Sequence, residues 1–143
     1  MPERRIDTAI EIAAPAERVW EVLIDFASYP AWNPFLRKIE GTAKPGAKLR
    51  VYYEPSGKPR MSFRPTIVEL VRQRDLRWRT SLVMSSLLEV QHLFHLEDKG
   101  RTCKLHHTER FSGLLLPLFG TELFEMTRTG FEAMNAALRS RAE

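Results

Sequence analysis

One cysteine, Cys103, in 143 residues excludes an internal disulfide and a cysteine-built metal site. No apolar run approaches the roughly 20 residues that a membrane-spanning helix needs. Residues 82–88 are interrupted by Ser85 and Ser86, and residues 114–119 are too few. The N-terminus, Met-Pro-Glu-Arg-Arg, has no apolar stretch behind its basic residues, so it lacks the pattern of a secretory leader. Internal repeats, linkers and low-complexity segments are absent as well. The expectation is a soluble, cytoplasmic chain folded as a single domain over residues 1–143, with no integral membrane association.

What is present is ordinary in amount. Charged residues make up 28% and hydrophobic residues 43% of the chain, close to globular averages. The net charge of +4 admits an acidic partner such as nucleic acid, or simply a solvated basic exterior. The positive residues are spread along the chain and no nucleic-acid motif accompanies them, so no nucleic-acid partner is expected.

Residues 10–35 carry the most organised stretch. Ile10 and Ile12 lie on one face of a strand, with Glu11 on the other. Pro15 ends extended pairing and suits the first turn of a helix, where its missing N–H is no loss. Val19, Val22, Leu23 and Phe26 then recur at helical spacing over about ten residues. Ser28 is placed to cap a second, very short helix through Trp32, which Asn33-Pro34 stops.

The run Pro-x-x-x-Val-Trp-x-x-Leu-x-Asp-Phe-x-x-Tyr-x-x-Trp-Asn-Pro resembles the opening of the START-like, or helix-grip, superfamily. Within it the match is to the bacterial polyketide cyclase/dehydrase-like family of lipid- and metabolite-binding proteins. The tail Thr108-Glu-Arg-Phe-Ser-Gly-Leu-Leu-Leu-Pro-Leu, followed by Gly130-Phe-Glu-Ala-Met-Asn-Ala-Ala-Leu, is similar to that family too. The resemblance implies a ligand cavity between a curved sheet and a long helix, with Trp32 and Asn33 near its mouth. It carries no reaction, because the family has no single shared catalytic motif.

The remaining chain reads as strands and then a helix. Strands are expected over residues 36–40, 49–53, 61–72, 76–80, 89–97 and 103–111. Pro65 cannot donate to a ladder, so an edge or a bulge is expected there. Residues 83–88 read as an apolar flap. A long helix ends near Arg141, with Pro117 in its first turn or Thr121 capping it. Its apolar stripe is Phe124, Thr127, Phe131, Met134 and Leu138. Strands run together rather than alternating with helices, which argues an α+β fold: an antiparallel sheet of about seven strands wrapped on the last helix.

Three polar side chains fall on otherwise apolar strand faces: His92, His107 and Glu109. Burial without partners would cost a few kcal/mol each, so they must meet one another, water or a ligand. One use is general acid/base chemistry, with the carboxylate orienting a histidine. The plainer use is a satisfied polar patch. Metal ligation finds no support in the spacing, so neither metal nor cofactor is expected. Cys103 reads as a small buried residue. Aromatics suited to a small-molecule site are Trp32, Phe35, Tyr53, Phe63, Trp78, Phe94, Phe111 and Phe131, which with His92, His107 and Glu109 form the candidate lining. The expected function is binding of a hydrophobic or aromatic small molecule. The competing classes are a cyclase, dehydratase or hydrolase using His92, His107 and Glu109, and a protein-partner module of co-chaperone or quinone-chaperone type. Oligomeric state is left open.

Overall fold

In the computed structural model, which describes residues 2–81, 84 and 86–143, strand β1 (Glu3–Ile12) leads into helix α1 (Ala16–Ile24) and the single-turn helix α2 (Tyr29–Trp32). Strands β2 (Leu36–Glu40), β3 (Arg50–Tyr53), β4 (Met61–Phe63), β5 (Thr66–Val71), β6 (Asp75–Ser81), β7 (Glu89–Asp98) and β8 (Cys103–Ser112) follow. Helix α3 (Thr121–Ala142) closes the chain.

Pro15 is the N-cap of α1, one residue outside the helix, and its carbonyl accepts the amides of Arg18 and Val19. The helix buries Val19, Trp20, Val22 and Leu23; each large apolar side chain so buried stabilises the fold by roughly 1.5–3 kcal/mol. The Tyr29 hydroxyl donates to the Leu23 carbonyl at 2.6 Å, satisfying one of the acceptors that the end of a helix leaves open. Ser28 does not cap α2: its hydroxyl turns back to Asp25 Oδ2 at 2.7 Å. Asn33 explains the Trp-Asn-Pro exit. Its buried side-chain oxygen accepts the amides of Phe35 and Leu36, each at 2.9 Å, and so launches β2.

The antiparallel sheet expected on the last helix is present, in two hydrogen-bonded sets of five and three strands. A five-stranded antiparallel sheet runs β1-β8-β7-β6-β5, and a three-stranded one runs β2-β3-β4. The division falls at Pro65, in the stretch read as a single strand over 61–72. Pro65 has no N–H to continue a ladder, and its carbonyl instead accepts the Leu49 amide at 2.9 Å. Before it the chain pairs with β3, and after it with β6.

Helix α3 lies across the inner face against β1, β8 and α1. Phe124, Thr127, Phe131, Met134 and Leu138 are buried as the spacing requires, and Asn135 is buried beside them. The helix begins later than Pro117, which sits in a separate 3-10 turn, Leu116–Leu118. Gly120 is the N-cap and Thr121 the first helical residue, with no side-chain cap. No helix among the described residues is long and apolar enough to cross a membrane.

Candidate functional site

The register of β7 on β8 places His92 opposite Glu109 and Phe94 opposite His107. Two-residue alternation then turns all four toward α3. His92 Nε2 meets His107 Nε2 at 2.6 Å. His107 Nδ1 meets Asn135 Oδ1 of α3 at 2.7 Å. The Asn135 amide donates to Thr8 Oγ1 at 2.9 Å, and the Thr8 hydroxyl donates to the His107 carbonyl at 2.8 Å. At the other end, His92 Nδ1 faces Glu109 Oε2 at 3.5 Å. The imidazole of His107 is stacked on Phe131 at 3.8 Å and 7°, and on Phe94 at 4.4 Å and 25°.

Burial sets the protonation of this row. It pushes the Glu109 carboxyl up to about 8, so the acid keeps its proton at neutral pH. It lowers His107 to about 3, against a smaller opposing effect of the Asn135 hydrogen bond. His92 falls well below the ordinary imidazole value, through burial first and then the neighbouring His107. The site is therefore neutral: two uncharged imidazoles and one carboxylic acid. An ion pair between His92 and Glu109 would need both shifts reversed.

Beside Glu109 the helix and the sheets part, leaving a cavity of about 230 Å³. The small sheet contributes Tyr53, Met61 and Phe63; the large sheet contributes Thr80, Val90, Glu109 and Phe111. Leu116, Phe119, Leu123, Met126 and Thr127 come from α3 and the turn before it, with Phe35 and Leu88 completing the wall. The Tyr53 hydroxyl loses its proton less readily than usual, through burial first and then the Glu109 carboxyl nearby. At the rim, Leu114 and Leu115 donate their amides to the carbonyls of Ser86 and Leu87. Met84, Leu114, Leu118 and Phe119 stand exposed on these segments.

Of the candidate residues, Phe35, Tyr53, Phe63, Glu109 and Phe111 lie on the cavity wall. Trp32, Trp78, His92, Phe94, His107 and Phe131 are packed behind it rather than on it: the cavity occupies one end of the space under α3, and stacked rings fill the other. The flap expected over 83–88 falls partly outside the described residues, at Val83 and Ser85; within it, Leu88 is buried on the wall. Cys103 is buried at the far end of β8, opposite Ile12, and burial raises its thiol pKa. Among the described residues no group of three or more His, Cys, Asp or Glu side chains is placed to hold a metal.

Asn135 and Thr8 escaped the sequence reading. Asn135 had a signal, since it lies four residues after Phe131 on the inward side of α3. Thr8 is a lone threonine in a strand and had none.

Gly130 has a specific reason to be glycine. A Cβ there would fall inside the van der Waals contact of the Phe35 ring, which is itself edge-on to Tyr53 and Phe131. Gly130→Ala gains up to about 1 kcal/mol of helix propensity but overpacks a buried ring, at about 1–3 kcal/mol. The expected net is a lower melting temperature and an altered cavity wall, with Phe35→Leu restoring both in the double variant. A Gly130→Ala protein that melts higher than the parent would show the contact to be soft.

A family model described as polyketide cyclase / dehydrase and lipid transport matches residues 3–143. No curated protein matches the chain in sequence. Among solved structures, the Zhui aromatase/cyclase from Streptomyces sp. R1128 aligns at a TM-score of 0.80 and 18% identity, over 99% of this chain and 94% of that one. A START superfamily protein from Mycobacterium smegmatis aligns at 0.77 and 20% identity, over 96% of each chain. Norcoclaurine synthase from Thalictrum flavum, in complex with dopamine and hydroxybenzaldehyde, aligns at 0.65 and 15% identity, over 97% and 86%. At these identities the structures establish the shared helix-grip fold.

Proposed function

Because the chain belongs to the polyketide cyclase/dehydrase and lipid-transport family, we propose that it is a single-domain binding protein for an apolar small molecule held beneath α3. The observation that carries this reading is the cavity of about 230 Å³, walled by aliphatic and aromatic side chains around one acid, Glu109. An apolar enclosure with few placed polar groups is the usual make-up of a small-molecule site. The volume suits one or two fused rings, or a short acyl segment, better than an extended polyketide.

The test uses a neutral, polarity-sensitive dye such as 1-aminoanthracene. Its fluorescence should rise saturably, and the melting temperature should climb with dye concentration; at a hundred times Kd the added stability is about 2.7 kcal/mol. Leu123→Trp, which fills the cavity from α3, should abolish both effects. Absence of saturable binding by the parent protein would end this reading.

A second reading is favoured by Glu109 itself. It holds a proton near neutral pH, lines the cavity and is backed by a histidine pair, an arrangement suited to giving and retrieving a proton in a cyclisation or dehydration. Incubating the same protein with candidate aromatic ketones separates the two. Turnover that falls roughly a hundredfold in Glu109→Gln belongs to an enzyme; no turnover with intact dye binding belongs to a carrier. The carrier is the reading adopted, because both histidines are buried off the cavity wall and neutral.

A further inference from the structure

The row of polar groups behind the cavity has a fixed direction, and that direction says what the cavity accepts. The Thr8 hydroxyl lies 2.8 Å from the His107 carbonyl, an oxygen with no hydrogen of its own, so the Thr8 hydrogen must occupy that gap. Thr8 Oγ1 is then the acceptor for Asn135, which orients the amide with its N–H₂ on Thr8 and its oxygen on His107. An oxygen there requires His107 to carry its proton on Nδ1, leaving a lone pair on Nε2. The 2.6 Å contact between the rings therefore takes its hydrogen from His92 Nε2. His92, neutral, is left with a lone pair on Nδ1.

Neither His92 Nδ1 nor Glu109 Oε2 has a hydrogen-bond partner among the described residues, and the two face each other at 3.5 Å. Two lone pairs there would repel. The Glu109 hydrogen on Oε2 resolves the conflict, and the burial that keeps this acid protonated agrees. What remains for the cavity is Oε1, a carbonyl-type acceptor with its hydroxyl committed behind it. Tyr53 lines the same cavity, near enough to Glu109 that burial first and then the carboxyl raise its pKa. A phenolic hydroxyl at that position can turn its hydrogen toward a guest as a donor.

We propose that the cavity selects an apolar molecule bearing a hydroxyl group, phenolic or alcoholic, which donates to Glu109 Oε1 and accepts from Tyr53. This rests on the cavity-binding reading above and narrows it. An ether or ketone leaves Oε1 bare, and a carboxylate sets its charge against a carbonyl oxygen in an apolar enclosure. Free fatty acids and aromatic acids are thereby disfavoured.

The probes are three naphthalenes that differ at one position: 2-naphthol, 2-methoxynaphthalene and 2-naphthoate, titrated by calorimetry at pH 7. The naphthol should bind about tenfold tighter than the ether, the equivalent of one hydrogen bond, with the naphthoate weakest. Glu109→Leu should shrink the naphthol advantage to less than about threefold. Glu109→Gln should keep it, since its amide N–H₂ serves His92 and its oxygen serves the ligand. Tyr53→Phe should weaken the naphthol and the ether together. An ether or a naphthoate that matches the naphthol, or a preference that survives Glu109→Leu, overturns the hydroxyl assignment while leaving the cavity reading intact. If none of the three binds, the cavity reading itself fails, and this one with it.

Discussion

Replacing His107 by alanine is expected to lower the unfolding free energy by about 4–6 kcal/mol, a large share of the 5–15 kcal/mol typical of a domain. Two effects add. The imidazole fills the space between Phe94 and Phe131, and its removal leaves a void in a stack that backbone on both sides holds in place. It also strands the His92 Nε2 hydrogen and the Asn135 oxygen in an environment without water. His107→Phe separates these contributions. The ring stays between its neighbours while both hydrogen bonds vanish, so about 2–4 kcal/mol should be lost. Urea denaturation midpoints at neutral pH, converted with a common slope, give both values. A loss under about 1 kcal/mol in His107→Ala would show that the row is ornamental to stability.

Glu109 should give the protein a stability that declines on the alkaline side. In the unfolded chain this carboxyl ionises above its ordinary value of 4.5; in the fold it keeps its proton up to about 8. The folded state therefore holds one extra proton between those limits, and stability from this group is present below 4.5 and lost as pH rises toward 8. His92 and His107 work in the opposite sense. Their folded pKa values lie below the ordinary 6.5, so they withdraw stability as pH falls beneath it. The three together place the maximum near about pH 6.5. Among the described residues, His92 and Tyr53 are titratable side chains that face Glu109, and Tyr53, with its pKa raised, stays neutral throughout. Glu109→Gln keeps the shape and the hydrogen bonds and removes the ionisation. Relative to the parent it should gain about 2 kcal/mol between about pH 6 and pH 8. Denaturation midpoints of the two proteins measured across that range settle it; parallel curves would mean that Glu109 is ionised in the fold.

Much of this was legible from spacing alone. The Val19, Val22 and Leu23 stripe on α1, the alternation of β6 to β8 and the stripe on α3 each follow one period, and one period is what a sequence displays directly. His92, His107 and Glu109 stood out because polar residues broke an apolar alternation. The departures come from contacts between distant segments. Pro65 announced a break in pairing, but the partners on either side of it, β3 before and β6 after, are distant strands that spacing does not name. Trp78 and Phe94 share a face with Glu109, yet whether a ring meets the cavity or the packed end depends on where α3 crosses. Leu88 belonged to the expected apolar flap, but nothing marked Val90, Leu116 and Leu123 as wall, since a residue lining a cavity and one filling a core look alike in sequence. Thr8 and Asn135 became visible only once β1, β8 and α3 were together.

The division of the sheet at Pro65 makes the wall of the cavity unequal in stiffness. On one side, β6, β7 and β8 are each flanked on both edges, so displacing any of them breaks two ladders at once. On the other, β4 is three residues long and pairs only with β3 among the described residues. The seam between the sheets is crossed by the Lys48–Thr66 bridge and by main-chain bonds from Gly46, Leu49 and Ile67. Tyr53, Met61 and Phe63 ride on the smaller plate; Thr80, Val90 and Glu109 ride on the larger. An oversized guest is therefore expected to displace the three-stranded side first, where the fewest bonds resist it. The acceptor at Glu109 is carried on the central strand β8, paired on both edges, and is expected to keep its aim while the opposite wall yields.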